Sequence, residues 1–406
     1  MRVCVPLSRS TNQDRPVARP NGEQRPRRAT TRLAILCLVS LLAALDACRD
    51  AGPSVAAPTD ARVLWWAPDH VGDGLPSVDG TQVYFTTQPH RVLAVSKATG
   101  RIAWSRDLPV DRPGFFGEGS RARGGRVFVA DEDVFALDDR TGALLWRFRP
   151  EGSRNTGVFL PAFDGDRLIT GSSNGHVFAI SQSTGEEIWR SKVVRPDTVT
   201  MYRPQVGDGV VAVGFTDYVT AGGNVARGGV AVLDRLDGHV RWLRYLPAAI
   251  DSAIANGVIS PVIVAGAVVI GAWDGPVYAF ELTTGALRWT SPGVGIGDQI
   301  RGLRPLATDG VRLFVGSSAG VVLALDPQTG DRIWSAPPTY GSTNELLPFA
   351  GRLYWSYSGG QFEVRDAATG DRLWVHDKDP LAFSGPVDDG ARVYVSGVRG
   401  VAALAR

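Results

Sequence analysis

Seven copies of one hexapeptide, Thr-Gly-x-x-x-Trp with a single Asp-Gly variant, punctuate this chain. They are TGRIAW ending at Trp104, TGALLW at Trp146, TGEEIW at Trp189, DGHVRW at Trp242, TGALRW at Trp289, TGDRIW at Trp334 and TGDRLW at Trp374. The tryptophans follow one another at intervals of 42, 43, 53, 47, 45 and 40 residues. Such a period belongs to stacked or radially arranged supersecondary units, not to one irregular core.

Each copy has the same lead-in. Residues 164–190 run through a DGD turn, the alternating stretch RLITGSS, an Asn174-Gly175 turn, HVFAIS, the TG turn and EEIWRS. Short alternating runs between tight turns predict antiparallel strands, and Asn-Gly is a strong hairpin signal because both central residues need positive φ. With GVFLPAF upstream as an inner strand, every period holds four strands, which is the blade of a β-propeller.

The turn has a mechanical reason. Three residues before each Thr, or the Asp of the variant, stands an oxygen-bearing side chain: Ser96, Asp138, Ser181, Asp234, Glu281, Asp326 and Asp366. At that spacing a side-chain oxygen can accept from the turn's backbone N–H groups, while Gly takes the left-handed position. The Trp then leaves on the outer strand, where its ring can wedge against the next blade and its indole N–H can find a backbone carbonyl. Trp104, Trp146, Trp189, Trp242, Trp289, Trp334 and Trp374 are therefore expected to dock blade on blade.

Counting predicts the closure. Residues 383–406 supply three more strands (FSGPVDDG, RVYVSG, VAALAR) and no TG turn. The missing outer strand lies in ARVLWWAPD, with Trp65 or Trp66 in the wedge position. The expectation is an all-β, eight-bladed propeller of four-stranded antiparallel blades over 61–406, its ring closed by the N-terminal strand. Seven blades with a loose terminus is the alternative.

Residues 1–60 pose a different problem. Arg25, Arg27, Arg28 and Arg32 precede LAILCLVSLLAAL, about 13 apolar residues, too short to span a bilayer and suited to a signal-peptide core. The stretch ends Leu45-Asp46-Ala47-Cys48, which resembles a bacterial lipobox except at Asp46. The expectation is a signal peptide over 1–47, lipidation of Cys48, and a Pro- and Ala-rich tether over 48–60. An ordinary secretory signal cleaved nearby is the alternative reading. Arg49 after the Cys favours outer-membrane sorting in a Gram-negative envelope.

Removal of the leader changes the charge argument. It takes eight of the 43 basic residues and three of the 41 acidic ones, leaving 35 against 38. A near-neutral mature chain carries no electrostatic footprint for nucleic acid. Cys4 and Cys37 leave with the leader, so the propeller has neither thiol nor disulfide. His70, His90, His176, His239 and His376 show no metal-ligand spacing and are expected to be solvated surface residues.

Blades such as ALDDRTGALLW (136–146) and ALDPQTGDRIW (324–334) resemble the pyrroloquinoline-quinone-type repeat over roughly 61–406. The resemblance implies the fold more than the function. In the quinoprotein dehydrogenases of this family the quinone sits with calcium in the central funnel and an aspartate acts as base; here no cysteine pair occurs and no acid matches those motifs. The resemblance is closer in layout to the outer-membrane β-barrel assembly lipoproteins, which are non-catalytic. It implies no cofactor, no metal and no catalytic residue, envelope proteins such as the β-barrel assembly machinery as partners, and a monomeric lipoprotein facing the periplasm. A ligand-, peptidoglycan- or polysaccharide-binding propeller is the alternative, and a quinone-dependent dehydrogenase a third.

In a four-stranded blade, the connections from outer to next inner strand share one face with the hairpins between second and third strands. Variation concentrates there, in GFFGEGSRARGG (114–125), RPDTVTMYRP (195–204), the fourth-blade insertion TDYVTAGGNVARGG (216–229) and GVGIGDQIRGLRP (293–305). Loops on a rigid scaffold are the usual place for recognition, and aromatics with arginine the usual anchors. The candidate partner-binding residues are Phe115, Phe116, Arg121, Tyr202, Arg203, Tyr218, Trp273, Arg301, Tyr340 and Trp355.

Overall fold

In a computed structural model the described residues are 62–68, 74–87, 90–110, 118–150, 157–194, 199–219, 225–247, 257–273, 275–292, 303–337, 341–376, 384–397 and 400–405. All lie in the unit Val55–Arg406; the leader and tether boundaries, with Cys48, fall outside the described residues.

Among the described residues eight antiparallel sheets form, seven of them from strands that follow one another along the chain. The third shows the pattern: Ala162–Asp164, Arg167–Gly171, His176–Ser181 and Glu187–Lys192, paired in that order. The eighth closes the ring. Its outer strand is Val63–Pro68, which pairs antiparallel with Gly400–Ala405. Inner strands of neighbouring blades lie side by side around a central channel.

The second and third strands are the core of every blade. In the third blade Leu168, Ile169, Val177, Ala179 and Ile180 are wholly buried, whereas the outer strand exposes alternate residues. Outer strands therefore bury the tryptophan and turn the rest to solvent, apolar residues such as Leu145, Ile188 and Leu373 included.

The repeat's spelling follows from one bulge. Ala179 stands opposite Trp189, but Ile180 stands opposite Glu187, so Ile188 is an extra residue on the outer strand. The same shift recurs in the first seven blades. Bulges re-aim side chains. Here the bulged residue is pushed outward, as with Ile188 at 49% exposure, and the next residue, Trp, is turned toward the neighbouring blade. The residue facing each Trp is Ala94, Ala136, Ala179, Val232, Ala279, Ala324 or Val364, small enough to leave the ring room. The eighth blade repeats this with Trp65 opposite Ala403 and Leu64 as the bulge.

Seven of the eight rings, all but Trp374, lie on the TG glycine of the following blade. A Cβ on Gly142, whose φ is +68°, would fall 2.5 Å from Cε3 of Trp104, so both backbone conformation and space demand glycine there. Indole N–H groups donate to the carbonyl one residue past the turn's acceptor: Trp65 to Lys97, Trp104 to Asp139, Trp146 to Gln182, Trp242 to Leu282, Trp289 to Pro327 and Trp334 to Ala367, at 2.8–3.1 Å. Trp189 differs, its buried Nε1 reaching no acceptor among the described residues. Trp374 faces the blade that has no TG turn and takes the Arg62 guanidinium over its ring instead.

Within the turns, Asp138, Ser181, Asp234, Asp326 and Asp366 accept from N–H groups two or three residues on. Glu281, one methylene longer, departs from the expectation: its carboxylate pairs with Arg288 at 2.5 Å. Two histidines are also not solvated. His376 is buried, and His90 lies 2.6 Å from the buried carboxylate of Asp131.

Candidate functional site

The inner strands have no sheet partner on their channel side, and their sequences show it. A proline stands immediately before the inner strand in five blades, at Pro76, Pro161, Pro204, Pro261 and Pro386, tolerated because an edge strand need not donate every N–H. Side chains from these strands decide what the channel holds.

Two irregularities aim charge into it. The inner strand of the fourth blade is broken into Val199–Met201 and Gln205–Gly207, both paired to Val210–Val219, and Tyr202, Arg203 and Pro204 fill the break. In the seventh blade the register slips between Thr343 and Leu346, leaving Asn344 and Glu345 in a bulge. From the break, Arg203 Nε donates to Glu118 Oε2 at 2.9 Å and Nη1 donates to Glu345 Oε1 at 2.5 Å. Glu118 Oε2 also accepts from the Leu160 N–H at 3.1 Å. One guanidinium thus ties blades two, four and seven together. Burial alone would lower its pKa, but the two carboxylates hold it above the ordinary arginine value.

Beside this crosspiece is a cavity of about 350 Å³, lined by inner-strand residues of blades one to four and eight, with Arg121, Arg203 and Gln205 as its charged and amide-bearing walls. Arg121 belongs to the strand Ser120–Arg123. Desolvation, then the like charge of Arg203, lowers the Arg121 guanidinium to about 10, with Glu345 and Glu118 opposing.

Of the candidates, Arg121 and Arg203 come together, in the channel and not on an outer loop. Tyr202 packs its ring against Phe159 and shares a hydroxyl contact of 3.2 Å with Thr216, so it joins blades three and four. Trp355 is fully buried in the seventh blade's core and presents nothing to a partner. Trp273 is half-buried, its ring lying on Gly257. Tyr218 sits in the strand Val210–Val219. Phe115, Phe116, Arg301 and Tyr340 lie outside the described residues.

The fourth-blade insertion is a ladder, not a loop. Strands Val210–Val219 and Val225–Asp234 pair without interruption from Val210 with Asp234 to Val219 with Val225, while the same hairpin in the third blade has strands of five and six residues. The added rungs extend the hairpin on the face that carries the blade-to-blade connections. Arg227, opposite Asp217 among the added rungs, covers the Tyr245 ring at 4.4 Å. Glu118, Glu345 and Gln205 were not singled out from sequence. Of these three, Gln205 alone adjoins an inner-strand proline, Pro204, and the residue standing where Leu75 and Leu160 precede theirs is Arg203, so Glu118 and Glu345 left no such signal.

Residues 53–149, 130–294 and 274–403 match the family model described as outer membrane protein assembly factor BamB. The tetrathionate hydrolase of Acidithiobacillus ferrooxidans is 25% identical over 375 residues, 79% of this chain and 70% of that protein. BamB of Yersinia pestis is 26% identical over 269 residues, 62% of this chain and 64% of that protein, so the chain spans a little less than two thirds of that relative. Among solved structures, BamB of Moraxella catarrhalis superposes with a TM-score of 0.57 at 23% identity, over 74% of this chain and 84% of that one, a likeness of fold.

Proposed function

The chain belongs to the family of the outer membrane protein assembly factor BamB, and from that membership we propose that it is a non-catalytic envelope scaffold in outer-membrane protein assembly. It is held to the membrane by lipid at Cys48 and presents partner proteins with the connection face of a rigid ring. The observation that carries this reading is the extended fourth-blade hairpin: ten-residue strands that ring closure does not require. Loops and hairpins projecting from a stiff scaffold are where recognition is built, and edge backbone groups on such a ladder can pair with a partner strand.

The test is photocrosslinking in cells from the exposed Arg227 position of the full-length lipoprotein, followed by mass spectrometry. Capture of barrel-assembly components supports the reading. Crosslinks equal to those from an outer-strand control at Ile188 would remove it. A hydrolytic enzyme is the second reading, favoured by the tetrathionate hydrolase relative that covers 79% of this chain; sustained turnover of tetrathionate by the purified chain would put it first.

A further inference from the structure

The strand register places eight residues at one level of the channel: those facing Tyr84, Phe128, Ile169, Ala212, Val269, Phe314, Tyr354 and Tyr394. They are Ser77, Arg121, Ala162, Gln205, Val262, Ala307, Leu347 and Val387. Seven are neutral. A structural ring needs no arginine in that series, and a guanidinium taken out of water is costly unless its N–H groups find acceptors.

Arg121 has not found them. Among the described residues its guanidinium makes neither hydrogen bond nor ion pair, although Glu118 and Glu345 are near enough to influence it. Arg203 already occupies both carboxylates. Arg121 instead faces the cavity of about 350 Å³, together with the Gln205 side chain, which likewise makes no hydrogen bond among the described residues. Arg203 and Ser77 also line the cavity, and the rest of the wall is apolar, including Leu160, Phe163, Val206 and Val387. A volume near 350 Å³ lies at the small end of the range of small-molecule sites.

We propose that this cavity binds a small organic monocarboxylate, its carboxylate on the Arg121 guanidinium and the Gln205 amide and its apolar body against Leu160, Phe163 and Val206. A planar carboxylate matches the guanidinium fork. A single charge is specified by the neighbours: Glu118 and Glu345 leave the four-residue cluster formally neutral, so a dianion or phosphate meets repulsion that a monoanion avoids in large part. The site is independent of the docking face, lying within the channel and not on the fourth-blade hairpin.

The experiment is calorimetric titration of the purified full-length chain in detergent with benzoate, its neutral isostere benzyl alcohol, the dianion phthalate and inorganic phosphate. Saturable one-site binding of benzoate is expected, with benzyl alcohol, phthalate and phosphate weaker by about tenfold or more. Arg121→Gln should lose benzoate by a similar factor and Arg121→Lys should recover part of it, with both melting as the parent does, since Arg121 holds no ion pair. Equal affinity for benzoate and benzyl alcohol, an unchanged titration in Arg121→Gln, or no saturable benzoate binding into the millimolar range would overturn the assignment. A preference for phosphate or phthalate would overturn its charge.

Discussion

The ammonium of Lys97, in the first blade, lies 2.9 Å from the carboxylate of Asp389, in the last. The Lys97 carbonyl accepts from both the Trp65 indole at 2.8 Å and the Arg392 guanidinium at 2.7 Å, and the Tyr394 hydroxyl donates to Asp389 at 2.8 Å. The seam where the ring closes is thus a polar clamp laid over a tryptophan wedge.

That clamp should be acid-sensitive. Burial would raise the Asp389 pKa, but Lys97, Tyr394 and the Ala391 and Arg392 N–H groups hold it below the ordinary carboxylate value. A depressed folded-state pKa contributes stability above the unfolded value, about 4, that is lost as pH falls through the folded one. Asp389→Asn should therefore lower Tm at pH 7. Its gap from the parent should narrow below about pH 4, as read in melts across pH. A constant gap would mean that the charge contributes nothing.

The tryptophan wedges differ in one testable respect. Truncating either Trp104 or Trp189 to Ala should cost about 3–5 kcal/mol in urea unfolding, because both rings are buried between blades. Phenylalanine separates them. Trp104→Phe forfeits the hydrogen bond to the Asp139 carbonyl, about 1 kcal/mol, while Trp189→Phe removes an N–H that had no acceptor among the described residues. Equal costs would show that the indole N–H bonds are energetically idle.

Gly142→Ala should destabilise by about 2–4 kcal/mol, combining left-handed strain with overpacking against Trp104. Gly80 has positive φ but nothing within 4 Å of an added Cβ, so Gly80→Ala should cost only about 1 kcal/mol. Thermal melts of the two variants isolate the steric part.

In the channel, Arg203→Ala leaves Glu118 and Glu345 without their shared partner and should cost about 1–3 kcal/mol, less than a fully buried pair because these groups are partly exposed. Adding Glu345→Gln should restore part of the loss, the signature of coupling in a double-mutant cycle.

Cys48→Ser should shift the protein from the membrane to the soluble periplasmic fraction and remove the mass of the acyl chains, as read by fractionation and intact mass. Retention at the membrane would exclude lipidation at this residue.

The ring was legible in the sequence because its instructions are local and repeated: acceptor, turn glycine and tryptophan fall within nine residues in each of seven blades. The N-terminal closure followed from counting the strands. What stayed hidden was set by register. A slip at Asn344–Glu345 and a break at Tyr202–Pro204 decide which charges enter the channel, and neither leaves a pattern along the chain. Arg203 meets partners 85 and 142 residues away, a separation no motif encodes. Trp355 read as a surface anchor because the sequence shows an aromatic near a turn, not that it belongs to a buried central strand.

The swapped strand also sets a timetable. Val63–Pro68 leaves the ribosome before any blade and has no partner until Gly400–Ala405 follows. Throughout synthesis, a segment reading VLWWAP is an orphan, apolar and eager to pair with whatever edge is offered. A ring shut by its earliest strand can be finished only by its latest one, so every interrupted chain is left with an unmatched end by which quality control can know it.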